Sequence, residues 1–202
     1  MKILFLSRRF YPDIGGVEKH VFEISKRLVQ KGHTITIITE SQNPTQKKHD
    51  TGITVFHMPA FKEGKKKKLL IWQWLLRNHQ IIQDADIVHC HDVFYWYMPF
   101  LFLYPRKPVY TTFHGYESYP IKQKAILLRK LSEKLSWGNI CIGEFMKKWY
   151  GTDPDYISYG AVDINKSKTT VLMKKNTASA LFFGRLDDQT GIRQYLKIFE
   201  IL

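Results

Sequence analysis

Seven short runs rich in β-branched and apolar residues recur along the chain: KILFL (2–6), TITIIT (34–39), ITVFHM (53–58), DIVHCH (86–91), VYTTFH (109–114), NICIG (139–143) and ALFFG (180–184). Each reads as a strand. Between most of them lie segments of helical period. Val17, Val21, Ile24 and Leu28 recur at i, i+4, i+7 and i+11 and are closed by Gly32, and residues 121–136 and 191–202 carry similar stripes. Strand, helix, strand in this order demands parallel pairing, and strands apolar on both faces need helices on both sides. The expected fold class is therefore α/β, a Rossmann-like doubly wound parallel sheet with helices on both faces.

After the strand-like DYISYGAVD (155–163) comes a polar, lysine-rich stretch without periodicity, INKSKTTVLMKKNTAS (164–179), which marks the expected domain edge. Residues 1–163 are expected to form the first domain. Residues 164–202 are expected to supply a linker and the opening strand–helix unit of a second, truncated domain, because the chain stops inside a helical pattern without a capping signal and one such unit cannot bury both its faces.

Lys and Arg total 31 against 18 Asp and Glu, a net charge of +13, so an anionic partner is expected: a phosphorylated small molecule, an acidic membrane surface or nucleic acid. Nucleic acid is disfavoured, since the aromatic residues lie largely in apolar runs and no recognised nucleic-acid motif is present. Only Cys90 and Cys141 occur, both within apolar runs, which suits a reducing compartment. The start MKILFLSRRF has too short an apolar region for a signal peptide. The run VFYWYMPFLFLY (93–104), broken by Pro99, is too short to span a bilayer. The expected location is cytoplasmic.

In a doubly wound sheet ligands sit beyond the carboxyl ends of the strands. Gly15 and Gly16 lie at such an end, just before a helix whose first N–H groups lack partners; without Cβ atoms they allow positive φ and close approach of an anion. They equally allow a tight turn. The loop matches neither the G-x-G-x-x-G fingerprint nor the phosphate loop of nucleoside triphosphate enzymes. HCHD (89–92), TFHGYE (112–117) and IGEF (142–145) place His91, Asp92, His114, Gly115 and Glu144 on the same rim. No metal is expected, because His89 and His91 project to one strand face and Cys90 to the other.

The segment FKEGKKKKLLIWQWLLRNHQII (61–82) admits two readings. Lys65, Lys66, Lys67 and Lys68 stand where a helix would begin and oppose its dipole. With Trp72 and the neighbouring leucines they would suit an element lying on an anionic bilayer. Alternatively the helix buries its apolar face on the sheet and leaves the lysines solvated.

Four stretches, FYPDIGGVEKHVFEISKRLVQKGHTITIIT, ADIVHCHD, KPVYTTFHG and LFFGRLDDQTGI, resemble in order and spacing the GT-B glycosyltransferases of family 4. That resemblance implies a retaining transfer from a nucleotide-sugar donor to a glycan or lipid-linked acceptor, in cell-envelope or polysaccharide synthesis, at the inner face of the membrane. It implies no cofactor and no metal. It places His114 beside the transferring sugar, Gly15 and Gly16 against the donor, and Arg185 on the diphosphate. Thr190 stands where the family usually has a phosphate-binding lysine, and YGAVD (159–163) replaces the usual NGV turn. The first domain of the family carries mainly acceptor contacts, for which His91, Asp92 and Glu144 are the candidates. The family's acidic donor motif would lie past Leu202, so the chain alone is expected to be inactive. The alternative is a truncated, catalytically inactive module that binds acceptor or membrane.

Overall fold

A computed structural model describes residues 1–42, 47–48, 52–64, 66–115, 120–159, 180–184, 186 and 190–201. The chain divides into two compact units, Met1–Ala161 and Val162–Leu202.

The first unit is built on one sheet. Its strands are β1 (Lys2–Ser7), β2 (Thr34–Ser41), β3 (Lys47–Lys48), β4 (Thr54–Pro59), β5 (Ile87–His91), β6 (Val109–Phe113), β7 (Gly138–Cys141) and β8 (Tyr156–Ile157). Their spatial order is β3-β4-β2-β1-β5-β6-β7-β8, all parallel except β3 against β4. The order reverses at β1, whose Ser7 pairs with His91 of β5, so the crevice outside these carboxyl ends is where such a sheet receives a ligand.

Alternation of side chains along the strands separates two layers. Leu4, Leu6, Val88, Cys90 and Val109 point to one face and pack with residues of α2 (Lys67–Arg77), α3 (His79–Gln83), α4 (Phe94–Tyr97) and α5 (Phe100–Leu103). Phe5, Ile35 and Ile37 point to the other and pack on Val21 of α1 (Gly16–Gln30). The stripe Val17, Val21, Ile24 and Leu28 thus lies on the sheet, and α1 ends before Gly32 at φ 83°. Phe113 and Cys141 are covered by α6 (Gln123–Leu135) and α7 (Phe145–Tyr150).

In the second unit the helix predicted from residue 191 is present as α8 (Ile192–Ile201), with the Tyr195 hydroxyl donating to the Ala180 carbonyl at 2.9 Å. The strand expected at 180–184 is not formed. A strand exists through hydrogen bonds to a neighbour, and no second strand lies among the described residues of this unit. Among the described residues of the run 155–163, Tyr156–Ile157 is strand. The expected linker 164–179 and residues 160–163 fall outside the described residues.

The lysine run also departs from expectation. Lys65 lies outside the described residues, Lys66 and Lys68 are exposed, but Lys67 is buried. Its Nζ donates to Glu40 Oε2 and Glu63 Oε1, both at 3.0 Å, and Arg8 pairs with the same two carboxylates. Burial alone would lower the Lys67 pKa, but the bonds to Glu63 and Glu40 outweigh it and raise it. Lys67 is therefore an internal tie between α2 and the end of β2 and does not face a membrane. Trp72 is half-buried, its Nε1–H donating to the Tyr95 carbonyl at 2.7 Å, while Ile71 and Leu75 are buried beneath it. Among the described residues no helix is long and apolar enough to cross a membrane.

Removing one partner of a buried pair strands the other charge. Lys67→Met is expected to lower the unfolding free energy by about 3 kcal/mol, and adding Glu40→Gln to recover part of the loss. Urea denaturation checks this; a Lys67→Met cost within about 0.5 kcal/mol of zero would show that the tie is solvated.

Candidate active site

Two strand ends build the site. β5 and β6 run in register, His91 beside Thr112, so the residues that follow them, Asp92 and His114, emerge side by side. Asp92 takes a left-handed conformation with φ 59°, uncommon for a residue with a side chain and held only when its surroundings over-determine it. Here they do. The Asp92 N–H donates to the Thr112 carbonyl at 3.0 Å, and the Asp92 carboxylate accepts the His114 backbone N–H at 3.0 and 3.2 Å.

Arg129 of α6 locks the turn from below. Its side chain is buried, one guanidinium nitrogen lies 3.7 Å from Asp92 Oδ1 and donates to the Gly115 carbonyl at 2.8 Å. The guanidinium carbon sits 4.8 Å from the centre of the Phe113 ring and 4.0 Å from that of Tyr150, a cation–π setting suited to a delocalised cation. Asp92 thus shapes the turn that carries His114.

On the α1 side of the sheet four imidazoles gather. His89 and His91 stack at 4.6 Å, and His20 of α1 meets the His114 ring edge-on at 4.9 Å. His91 Nδ1 lies 2.9 Å from His114 Nε2, and His89 Nε2 lies 2.7 Å from Thr112 Oγ1. His91 is 2% exposed and its Nε2 is buried without a partner. A buried unpaired lone pair is tolerated better than a buried unpaired N–H, which puts the His91 proton on Nδ1 as the donor. His114 then accepts at Nε2 and carries its own proton on Nδ1. Burial, reinforced by the neighbouring imidazoles and, for His114, by Arg129, holds the His114 pKa down to about 3. It holds His89 at about 4, His91 well below its ordinary range and, by burial alone, His20 below it. The rim therefore offers a neutral imidazole rather than a charged one.

The predicted residues separate accordingly. His114 and Asp92 meet at the rim. His91, expected on the acceptor surface, is instead beneath it, because the last residue of β5 points into the layer under α1; it orients His114. Glu144 has an exposed side chain at the start of α7 and takes no part in the cluster. Gly15 and Gly16 lie at the start of α1, which has no side-chain cap. Neither uses the positive φ expected of them: Gly15 is extended at φ 176°. A Cβ at Gly15 would strike the Glu18 carboxylate, which lies against the helix start, whereas one at Gly16 would meet nothing within 4 Å. Arg185 lies outside the described residues, and Thr190 is a half-buried residue of the second unit, just before Gly191. Among the described residues no group of three or more His, Cys, Asp and Glu could hold a metal ion.

Two functional candidates escaped the sequence reading. His20 stands three residues after Val17, on the inward face of α1, and Arg129 four after Ala125 on the buried side of α6. Both positions were visible as breaks in an apolar stripe.

Residues 14–156 match the sequence model of the family described as Glycosyltransferase Family 4. The phosphatidylinositol N-acetylglucosaminyltransferase GPI3 subunit of Saccharomyces cerevisiae is 33% identical over 94 residues, 44% of this chain and 21% of that protein. The corresponding gpi3 subunit of Schizosaccharomyces pombe is 30% identical over 87 residues, 41% of this chain and 19% of that protein. The chain thus spans about a fifth of the length of these curated relatives. Among solved structures, sucrose-phosphate synthase from Thermosynechococcus elongatus superposes with a TM-score of 0.59 at 11% identity, over 77% of this chain and 46% of that one, a likeness of fold.

The imidazole cluster makes stability depend on pH. Unfolded histidines take up protons near pH 6.5; folded His89, His91 and His114 refuse them until far lower and His20 until lower, so acid favours the unfolded chain. Stability is full above about pH 7 and falls as the pH drops through 6.5. His89→Gln should reduce the slope of unfolding free energy against pH between about pH 7 and 5 by about one proton. An unchanged slope would mean that His89 titrates normally in the folded protein.

Proposed function

The chain belongs to glycosyltransferase family 4, and on that premise we propose that it supplies the acceptor-side half of an enzyme that moves a sugar, with retention, from a nucleotide-sugar to a hydroxyl of a membrane-lipid headgroup. The observation that carries this reading is the neutral His114 held at the crevice against His91 and against His20 of α1, a helix whose start has no side-chain cap. The names of the phosphatidylinositol N-acetylglucosaminyltransferase subunits similar to this chain support a lipid acceptor. The two buried free thiols, Cys90 and Cys141, support a reducing compartment, and we place the protein at the cytoplasmic face of a membrane.

The chemistry follows from where charge develops. As the bond to the leaving diphosphate breaks, negative charge grows on its oxygens, and N–H groups at Gly16 and Val17 would lie along that direction with the helix dipole behind them. Gly16 is open where a Cβ would stand, so its backbone can be approached from that side. Positive charge grows on the sugar beside His114. A protonated imidazole there would oppose that charge, and burial keeps the ring neutral. Its Nδ1–H can then orient a sugar hydroxyl, with tautomer and tilt set by His91. Asp92 is committed to the His114 N–H and to Arg129, so it serves the geometry of the turn rather than attack on the sugar.

The test is transfer of radiolabelled sugar from a panel of nucleotide-sugars to anionic lipid vesicles, using Met1–Ala161 fused to the donor-binding half of a characterised family member. His114→Ala should lower kcat by about 10²–10³ with unfolding free energy changed by less than about 1 kcal/mol, and Gly16→Val should raise the donor KM. Normal kcat in His114→Ala would remove the histidine from the reaction. Labelled lipid never formed by the fusion, with acceptor lipid still bound, would favour a binding module without catalysis.

A further inference from the structure

The outer face of α6 is not accounted for by the packing of the fold. Leu127, Leu131 and Leu135 recur at i, i+4 and i+8 and are 68%, 39% and 39% exposed, and Trp137 just beyond the helix is 60% exposed. Exposed Lys124, Lys130 and Lys134 are interleaved with them. The one acid of the helix, Glu133, is turned away: its Oε1 accepts the Asp153 N–H at 2.9 Å and its Oε2 is buried. What faces solvent is hydrocarbon, indole and positive charge. Lys124, in the first turn, opposes the helix dipole, so helix stability does not explain it.

This face runs into a groove. Leu131 also lines a cavity of about 220 Å³ between α4 and α6, with Phe94, Tyr95 and Met98 opposite. Lys68, exposed at the start of α2, lies on its wall, and Asp92 and Arg129 line it as well. Asp92 is the residue that holds the His114 N–H. The groove therefore leads from an apolar, basic outer surface to Asp92 and Arg129, which fix the turn that carries His114. Its volume is below the roughly 300–1,000 Å³ of a pocket that encloses a whole small ligand, so it fits one part of a molecule whose remainder stays outside.

We propose that the outer face of α6 rests on an anionic phospholipid bilayer and that the groove admits the glycerol end of one lipid, delivering its headgroup toward His114. Leucines and Trp137 enter the interface while the lysines meet lipid phosphates, as in a helix lying in the plane of the membrane. Charge selects this occupant: a second copy on the same face would set lysine against lysine. Only the end point at His114 rests on the function proposed above; the bilayer contact does not.

The test is sedimentation of the full chain with vesicles of phosphatidylcholine, alone or mixed with phosphatidylglycerol, in the absence of any nucleotide-sugar. Binding is expected to the mixed vesicles and to weaken with salt. Leu127→Gln with Leu131→Gln should weaken it about tenfold or more, and Lys124, Lys130 and Lys134 all changed to Gln about 100-fold. Lys66→Gln with Lys68→Gln should change it by less. Thermal melting verifies that the variants fold, which their exposed positions favour. The proposal is overturned if the chain binds both vesicle types equally, if the α6 variants bind as the parent does, or if binding follows Lys66 and Lys68 instead. Self-association without lipid that is abolished by Leu127→Gln with Leu131→Gln would also overturn it. Intact vesicle binding with no sugar transfer by the fusion would reject the functional reading and leave this one standing.

Discussion

The bond from the His114 backbone N–H to the Asp92 carboxylate fixes everything that happens at the rim. It ties the residue after β5 to the residue after β6, and it is made with Asp92 in a left-handed conformation. Arg129 makes that conformation tenable by neutralising the carboxylate and fastening the next carbonyl, Gly115, from beneath. Its own burial is compensated by the two aromatic rings around it. On this pinned backbone the His114 ring lies beside His91 and against His20.

The same tie stands between two unlike surroundings. On the α1 side lie four imidazoles kept neutral by burial, beside a helix start with free N–H groups. On the α6 side lies an apolar groove opening on leucines and lysines. A phosphate-bearing donor suits the first and a lipid suits the second, and His114 is where the two would meet. Neither side is accounted for by a need for stability alone, since buried imidazoles disfavour folding as the pH falls and exposed leucines contribute nothing to the core.

The fold was legible because the strand runs are apolar on both faces and because Val17, Val21, Ile24 and Leu28 keep a helical period. The run at 180–184 looked identical to the others, yet a strand needs a neighbour, and composition carries no information about neighbours. At the site, His114 and Asp92 were legible from their place just past buried strands. His91 was assigned to the right strand but to the wrong depth, since what covers that face is α1, and His20 is 71 residues earlier in the chain. Lys67 was misjudged for a related reason: within KKKK it looks like its neighbours, and only Glu40, 27 residues before it, distinguishes it. Long-range partners decided each of these cases, while local pattern decided the rest.

The central claim is that a neutral His114, oriented by His91, faces the donor. Nitrogen-15 NMR of the imidazoles addresses it directly. At about pH 6, well above the value near 3 to which burial lowers His114, its ring should be uncharged with the proton on Nδ1, and the Nδ1 resonance should move when a nucleotide-sugar is added while those of His89 stay in place. A His114 ring found protonated at that pH, or one unmoved by a nucleotide-sugar that binds the protein, would contradict the account.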